Sequence, residues 1–391
     1  MSKLKTNTIR HVDGSNDNIT LDSSQNVTVE GVLKTDSLRH TGASSDAVTL
    51  ATDGTCTAKI TNNLSNRNLI INGAMQVAQR YTSITAEGYP ADRFLVQYAN
   101  LDEAPTLSQH ALTSSDTGPW EKGFRYSSHI QNGNQNSGDS IDYMIITTTL
   151  EAQDMASSGW NYTSASSYVT LSYWVKSSVE QNFYHYVRTA DGTGQLYAWE
   201  TGTLSANTWT KITKKIPGNS NIQFDNDSGL GLTLTIPMFW GANWTNNNSL
   251  NTWAAFDTNN RVPDNPTAWF TTNDATFEIT GVQLEVGDVA TDFEHRSYGD
   301  ELARCQRYYY KLPIEVSNGP PAYQYYPTNK QSVIFFPTEM RDTPTCTATW
   351  STAGTFTQYH NSRSHFKAYV NSDYDTNNSY YITLLTADAE L

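Results

Sequence analysis

Charge is scarce in this chain, and positive charge scarcest. Only 16% of its 391 residues are charged, and 25 Lys and Arg face 39 Asp and Glu, for a formal net charge of −14. Neutralising phosphates takes Lys and Arg, so a nucleic-acid partner is not expected; the acidic excess serves solubility instead. Cysteine is nearly missing. Cys56, Cys305 and Cys346 are far apart, odd in number and without a CxxC pair, which excludes a disulfide framework and a cysteine metal site and leaves three free thiols suited to a reducing cytoplasm. No run approaches the roughly 18 apolar residues of a membrane span. The opening Met1-Ser2-Lys3-Leu4-Lys5 lacks the apolar core of a signal peptide. Neither membrane insertion nor standard secretion is therefore expected. Catalytic signatures are missing too: there is no GxSxG, HExxH, P-loop or GxGxxG. His129, His185, His295, His360 and His365 have no Cys or Ser partner at a telling spacing. Glycoside hydrolysis needs two carboxylates facing each other, and Asp142, Glu151, Asp154, Glu180, Asp191 and Glu200 offer no pairing that the sequence can decide. The chain reads as a non-enzyme.

What is abundant is Asn, Thr, Ser and Tyr, with aromatics at 12%. Thr and Tyr suit strands, and Asn, Ser and Gly suit turns, so an all-β protein with polar loops is expected. Residues 1–64 hold a repeat. Thr6-Asn7-Thr8-Ile9-Arg10-His11 returns as Thr35-Asp36-Ser37-Leu38-Arg39-His40, and Thr20-Leu21 returns as Thr49-Leu50, at an offset of 29 residues. Neither unit carries enough apolar residues for a core of its own, and such units need a neighbour. An intertwined homo-oligomer, with a trimer foremost, is expected. His11 and His40 occupy equivalent repeat positions and read as structural rather than metal-binding.

Residues 65–298 read as strand after strand. Leu230, Leu232, Leu234, Ile236, Met238 and Trp240 alternate with Gly231, Thr233, Thr235, Pro237 and Phe239, the period of a half-buried strand. Pro237 has no donor, which places it at an edge or a bulge. Val169, Leu171, Tyr173 and Val175 alternate with Tyr168, Thr170, Ser172 and Trp174. Apolar residues on both sides of Ile141–Ile146 indicate a strand covered on both faces. Turn residues such as Asp191-Gly192-Thr193-Gly194 separate the strands, and no amphipathic helix stands out. Two packed sheets in a jelly roll fit best. A helical connector at 299–311, with Leu302, Cys305 and Tyr309 at helical spacing, leads to a small β tip domain at 312–391.

Asn68-Leu69-Ile70-Ile71-Asn72-Gly73-Ala74-Met75 with Ala91-Asp92-Arg93-Phe94, then Val169–Lys176, Thr208–Ile212 and Val282-Gln283-Leu284-Glu285-Val286-Gly287, resemble the central modules of bacteriophage tail fibres. In the same order they are similar to jelly-roll carbohydrate-binding modules. The N-terminal repeats resemble short attachment or shaft regions of phage fibres, and Phe335–Arg341 with Thr343-Pro344-Thr345 resembles a terminal fibre domain. The resemblance implies a virion protein, made in the host cytoplasm, that joins other tail proteins through its N-terminus and binds host surface polysaccharide. A purely structural virion role (capsid decoration, knob or fibre base) is the alternative, and a glycan-cleaving tailspike the next.

Sugar rings stack on aromatic faces while polar side chains bond the hydroxyls. Aromatics in polar loops are the candidates: Trp120, Trp160, Tyr162, Trp244, Trp253, and in the C-terminal region Tyr325 and Tyr359. Each has the competing reading of capping the sandwich or packing at a subunit interface. Trp174, Trp209 and Trp240 lie in strand patterns and are expected in the core. No cofactor is expected: Glu278, Glu285, Asp288 and Asp292 could contribute oxygens to a structural calcium, but no compact loop spells out a site and they read first as solvated carboxylates.

Overall fold

A computed structural model describes residues 8–9, 19–21, 27–29, 37–38, 48–50, 52, 54, 56–58, 66–246, 248–312, 323–326, 329–350, 356–371 and 382–391. The chain divides into two compact units, Met1–Thr61 and Asn62–Leu391. In the first, β1 (Thr8–Ile9), β2 (Ile19–Leu21) and β3 (Val27–Val29) form one antiparallel sheet, and β4 (Ser37–Leu38), β5 (Val48–Leu50) and β6 (Cys56–Ala58) form another. The repeat is visible in the pairing itself. Thr8 opposes Thr20 as Ser37 opposes Thr49, and Leu21 opposes Val27 as Leu50 opposes Cys56. Leu38 and Leu50 remain exposed, which agrees with units too small to bury their own apolar side chains.

The second unit opens with β7 (Ser83–Ile84), β8 (Gly88–Ala91), β9 (Phe94–Ala99), β10 (Thr106–Ala111), β11 (Tyr126–Gln131) and β12 (Tyr143–Glu151). After a short helix α1 (Ala152–Ala156) come β13 (Tyr168–Ser177), β14 (Gln181–Thr189), β15 (Gln195–Leu204), β16 (Thr210–Pro217), β17 (Leu230–Trp240), β18 (Trp253–Ala255) and β19 (Thr276–Val286). They make a jelly-roll sandwich of two antiparallel sheets, in the orders β16-β13-β19-β11-β10-β7 and β18-β15-β14-β17-β12-β9-β8. The core between them is built from inward residues of both sheets, among them Val169, Leu171, Tyr173 and Val175 of β13 and Met144 and Ile146 of β12. Helix α2 (Tyr298–Gln306) follows, capped where the Ser297 hydroxyl accepts from the Asp300 amide. Beyond it lie β20 (Tyr309–Lys311), β21 (Tyr323–Tyr326), β22 (Asn329–Phe335), β23 (Thr345–Trp350), β24 (Phe356–Asn361), β25 (His365–Asn371) and β26 (Ile382–Asp388), in two small sheets with a core of their own.

Two bulges decide which residues face the core. On β17, Met144 of β12 opposes Phe239 and Ile145 opposes Pro237, so Met238 is the extra residue. The alternation therefore slips by one: Leu232, Leu234, Ile236, Met238 and then Phe239 enter the core, while Trp240 turns to the opposite face. Pro237 sits beside this bulge in a central strand, which disposes of its missing donor. The strand is also not half-buried as its alternation suggests, because Trp240, Ile145, Tyr186 and Val262 build a second apolar layer over its outer face. On β19 the slip falls between Ser172 and Trp174 of the partner strand, with Gly281 at φ +65°. Phe277 and Ile279 point inward before it, and Val282 and Leu284 after it.

The same strand explains the opening motif of the module. Asn68 donates to the Val282 carbonyl at 3.0 Å and accepts from the Leu284 amide at 3.1 Å. Asn72 (φ +59°) closes its own turn by donating to the carbonyls of Val77 and Asp92, at 2.9 and 2.8 Å. Asn68 thus binds the first segment of the sandwich to its last strand, and Asn72 holds the first segment's own turn. Ion pairs then tie the C-terminal sheets to it. Buried Glu151 takes both Arg307 bonds at 2.8 Å and the Tyr308 hydroxyl at 2.6 Å, and Arg93 pairs with Glu390.

Candidate functional site

The outer face of the seven-stranded sheet holds a trough of about 290 Å³. Its floor is set by register. Leu95, Thr147, Thr235 and Tyr186 form one row across four strands, and Thr149, Thr233 and Arg188 form the next. Gln97 lies one step along, opposite Ile145. The Thr149 and Thr233 hydroxyls are 3.2 Å apart, so part of the floor is a strip of hydroxyls and one amide.

One end of the trough is walled by the segment after β17. The Arg261 amide bonds the Trp244 carbonyl at 3.1 Å, and Thr245 donates to Asp264 at 2.7 Å, fixing that segment. It delivers Arg261 over the rings of Trp240 and Trp244, at 4.3 and 4.9 Å, and Phe256 under Arg188 at 4.1 Å. Tyr143 packs against Trp240 at 5.0 Å. Burial raises the Tyr186 phenol above its ordinary pKa and keeps it neutral. Arg188 Nε, in the trough lining, is one of several buried polar atoms with no partner within the chain. None of the described residues that line the trough has a carboxylate side chain, although Leu391, which carries the α-carboxylate, lines it as well.

A larger groove of about 520 Å³ lies on the other sheet, floored by Trp174, Ser172 and Gly281 and walled by Glu121–Phe124 and Asp292–His295. Its aromatic surfaces are already engaged. Phe124 packs on Phe293 and His295 at 4.8 and 5.1 Å, and Gly118 lies so close over the benzo edge of Trp174 that a Cβ there would come within 2.7 Å. Volume favours this groove; chemistry favours the trough, where two guanidiniums, hydroxyls and an amide converge.

Of the described aromatics picked out by sequence, none lines the trough itself; Trp244 lies beneath Arg261, which does. Trp160 is 3% exposed and part of the core, so it has no face to offer a sugar, and that expectation is corrected. Tyr162 stands half-buried beside it, edge-on to Phe224 at 4.9 Å. Trp253, half-buried on β18, donates to the Pro217 carbonyl at 2.6 Å and packs on Tyr197. Trp120 forms a 3-10 turn beneath Arg125, 3.8 Å away. The side chains of Tyr325 and Tyr359 lie outside the described residues. Trp174 and Trp209, expected in the core, are half-buried: Trp174 lines the larger groove, and Trp209 donates to Asp116 at 3.0 Å.

The carboxylates considered for calcium do not converge. Glu278 pairs with Lys176 at 2.8 Å, Glu285 accepts from Thr291, and Asp288 pairs with Lys215 at 3.2 Å. The residues that sequence reasoning missed are Arg188, Arg261, Gln97 and Tyr186. Tyr184, Tyr186 and Arg188 share one face of β14 and were a usable signal. Phe183, His185 and Val187 on the other face made both sides look equally apolar.

No family model matches the chain, and no curated protein matches it. Solved structures resemble it at low scores. Tailspike protein 4 of bacteriophage CBA120, in its enzymatically active domain, is 10% identical over 56% of this chain and 21% of its own, with a TM-score of 0.30. A CBM4 structure is 10% identical over 56% of this chain and 99% of its own, at 0.28. The C-terminal family 22 carbohydrate binding module of Clostridium thermocellum Xyn10B is 10% identical over 59% of this chain and 99% of its own, at 0.27. At such scores the likeness decides neither ligand nor activity.

Proposed function

We propose that this chain is a non-catalytic bacteriophage tail-fibre protein that holds host surface polysaccharide in the trough of its seven-stranded sheet. The observation that carries the reading is the convergence of two guanidiniums, Arg188 and Arg261, with hydroxyls, an amide and aromatic rings in one cleft. Sugars present the matching acceptors and apolar faces. Two guanidiniums, Arg188 and Arg261, in a trough without carboxylate side chains favour an acidic sugar, since planar guanidinium pairs with carboxylate in two parallel bonds. The same lining supports binding over cleavage, because glycoside hydrolysis uses two opposed carboxylates. The repeats of the first unit, with Leu38 and Leu50 exposed, support assembly into a trimer and attachment to other virion proteins.

The test is retention of full-length protein on immobilised alginate, as an acidic polysaccharide, against neutral dextran. Alginate should be preferred, and Arg188→Ala should weaken binding roughly 10- to 100-fold, the worth of one hydrogen bond to a charged group. Equal retention of the variant removes the trough from the reading. Failure to bind either polymer, together with a monomeric mass near 43.6 kDa in light scattering, turns the assignment to a structural virion part. Release of reducing ends would make the protein a glycan-cleaving tailspike.

A further inference from the structure

On the outer face of the other sheet, register brings together a group that no sequence motif announces. Ser108 opposes His129, His129 opposes Glu278, and Glu278 opposes Lys176, one residue from each of β10, β11, β19 and β13. His110 stands two residues beyond Ser108 on β10. One ring nitrogen from each histidine and one Glu278 oxygen lie within 4.8 Å of one another, the only such group of three among the described residues. His110 Nδ1 is 3.2 Å from Glu278 Oε2, and the two imidazoles meet edge to face at 5.1 Å.

We propose that His110, His129 and Glu278 form a binding site for a divalent transition cation of the zinc class. Two imidazoles and one carboxylate are the donors such an ion prefers, whereas calcium wants six to eight oxygens. Three protein ligands leave a fourth tetrahedral position for water, and the His110 side chain, 49% exposed, stands where solvent reaches it. Bonds of about 2.1 Å in a tetrahedron require ligand atoms roughly 3.4 Å apart, a contraction that rotation of His110 can supply.

The surroundings fit. Ser127 Oγ donates to Glu278 Oε2 at 2.7 Å, and Lys176 Nζ holds Oε1 at 2.8 Å, so the carboxylate is fixed with Oε2 toward the histidines. Ser108 Oγ lies 3.4 Å from His129 Nδ1. The serine contacts are of the kind that orient metal ligands and sharpen affinity, whereas Lys176, itself a cation, competes with the ion for the carboxylate. Locally, Glu278 and Asp116 (3.1 Å from Lys176) share a single ammonium, which leaves net negative charge for a dication to neutralise. The bound ion would link three adjacent strands and so stiffen this side of the sandwich.

The experiment is calorimetric titration of untagged, chelator-treated full-length protein with zinc chloride, and with calcium chloride in parallel, alongside thermal melts. Zinc should bind and raise the melting temperature, and calcium should do neither. His110→Ala removes a half-exposed side chain and should weaken zinc binding by more than about 10-fold; Glu278→Gln should cost at least about 100-fold, since even outer-contact changes cost 10- to 100-fold. Lys176→Met should tighten binding by freeing Oε1 from its competing cation, which a merely structural cluster would not show. Zinc isotherms unchanged in His110→Ala, or zinc weakened rather than tightened by Lys176→Met, would overturn the proposal. If Glu278→Gln does not fold, these two variants still decide it.

Discussion

Glu151 is where the sandwich holds the C-terminal sheets, and its removal has a size that can be worked out. The carboxylate is fully buried at the end of β12, with Arg307 on both oxygens at 2.8 Å, the Tyr308 hydroxyl at 2.6 Å and the Gln153 amide at 2.5 Å. Truncating one partner of a buried ion pair costs about 3–5 kcal/mol, because the remaining charge stays desolvated. The Arg307 side chain is 27% exposed, so water can reach it and the low end applies. Tyr308 is 1% exposed and loses its acceptor, adding roughly 1–3 kcal/mol. Glu151→Ala should therefore destabilise the second unit by about 4 kcal/mol in urea unfolding followed by tryptophan fluorescence. Glu151→Gln keeps an acceptor for Tyr308 and should cost roughly half as much. The pair also sets a pH dependence. Burial alone would raise the Glu151 pKa, but the bonds from Arg307 and Tyr308 outweigh it and hold it below the ordinary 4.5. A depressed carboxylate stabilises above its unfolded pKa and loses that contribution as pH falls through the folded one. The gap between wild type and Glu151→Gln should thus close on acidification below 4.5. A cost under about 1 kcal/mol for Glu151→Ala, the range of exposed ion pairs, would refute the reasoning.

Trp160→Ala should cost roughly 3–5 kcal/mol, as for a large core residue, and leave polysaccharide affinity per folded molecule unchanged, whereas Trp244→Ala should weaken retention on alginate at a smaller cost in melting temperature. Gly281→Ala should destabilise by roughly 2–4 kcal/mol, combining the penalty of a left-handed backbone with overpacking, since its Cβ would come within 2.7 Å of the Phe124 ring. Burial pushes Asp116 up, but bonds from the Trp209 indole, the Thr113 amide and Lys176 win and hold it at about 2. Its stabilising contribution is present above the ordinary 3.8 and fades as pH falls toward 2, so Asp116→Asn should melt below wild type at neutral pH and together with it near pH 2.

Local regularities were legible in the sequence. The 29-residue repeat returns as an identical pairing scheme, because strand register inside such short units depends on neighbouring residues alone. The inward row of β13 followed its alternation throughout. Alternation failed where a strand carried an extra residue. Pro237 announced an edge or a bulge but not which residue would be extra, and the extra Met238 sends Trp240 to the outer layer and Phe239 to the core. Loop tryptophans were legible as candidates but not as exposed or buried: the polar stretch around Trp160 folds its ring inward, while that around Trp244 lays it on a surface cluster. Arg188 and Arg261 are far apart in sequence, as are His129 and Glu278; cross-strand register brings the second pair together, and the segment after β17 brings the first.

The proposed binding mode requires the two units to act together, though each does separate work. A trough of about 290 Å³ falls at the lower end of ligand pockets, roughly 300–1,000 Å³, and its contacts are few: two guanidiniums, a strip of hydroxyls and one rim of aromatics. One such site would hold a polysaccharide weakly. Linking several sites on one particle can raise the overall strength by about 10²- to 10⁴-fold without any new contact. The exposed Leu38 and Leu50 of the repeats are the side chains that association would cover. Leu38→Asp with Leu50→Asp should therefore yield monomers by light scattering. Those monomers should keep the single-site affinity for short alginate fragments and lose retention on the polymer by at least about 100-fold. Polymer retention that survives in a proven monomer would mean that one trough suffices and that the repeats serve attachment alone.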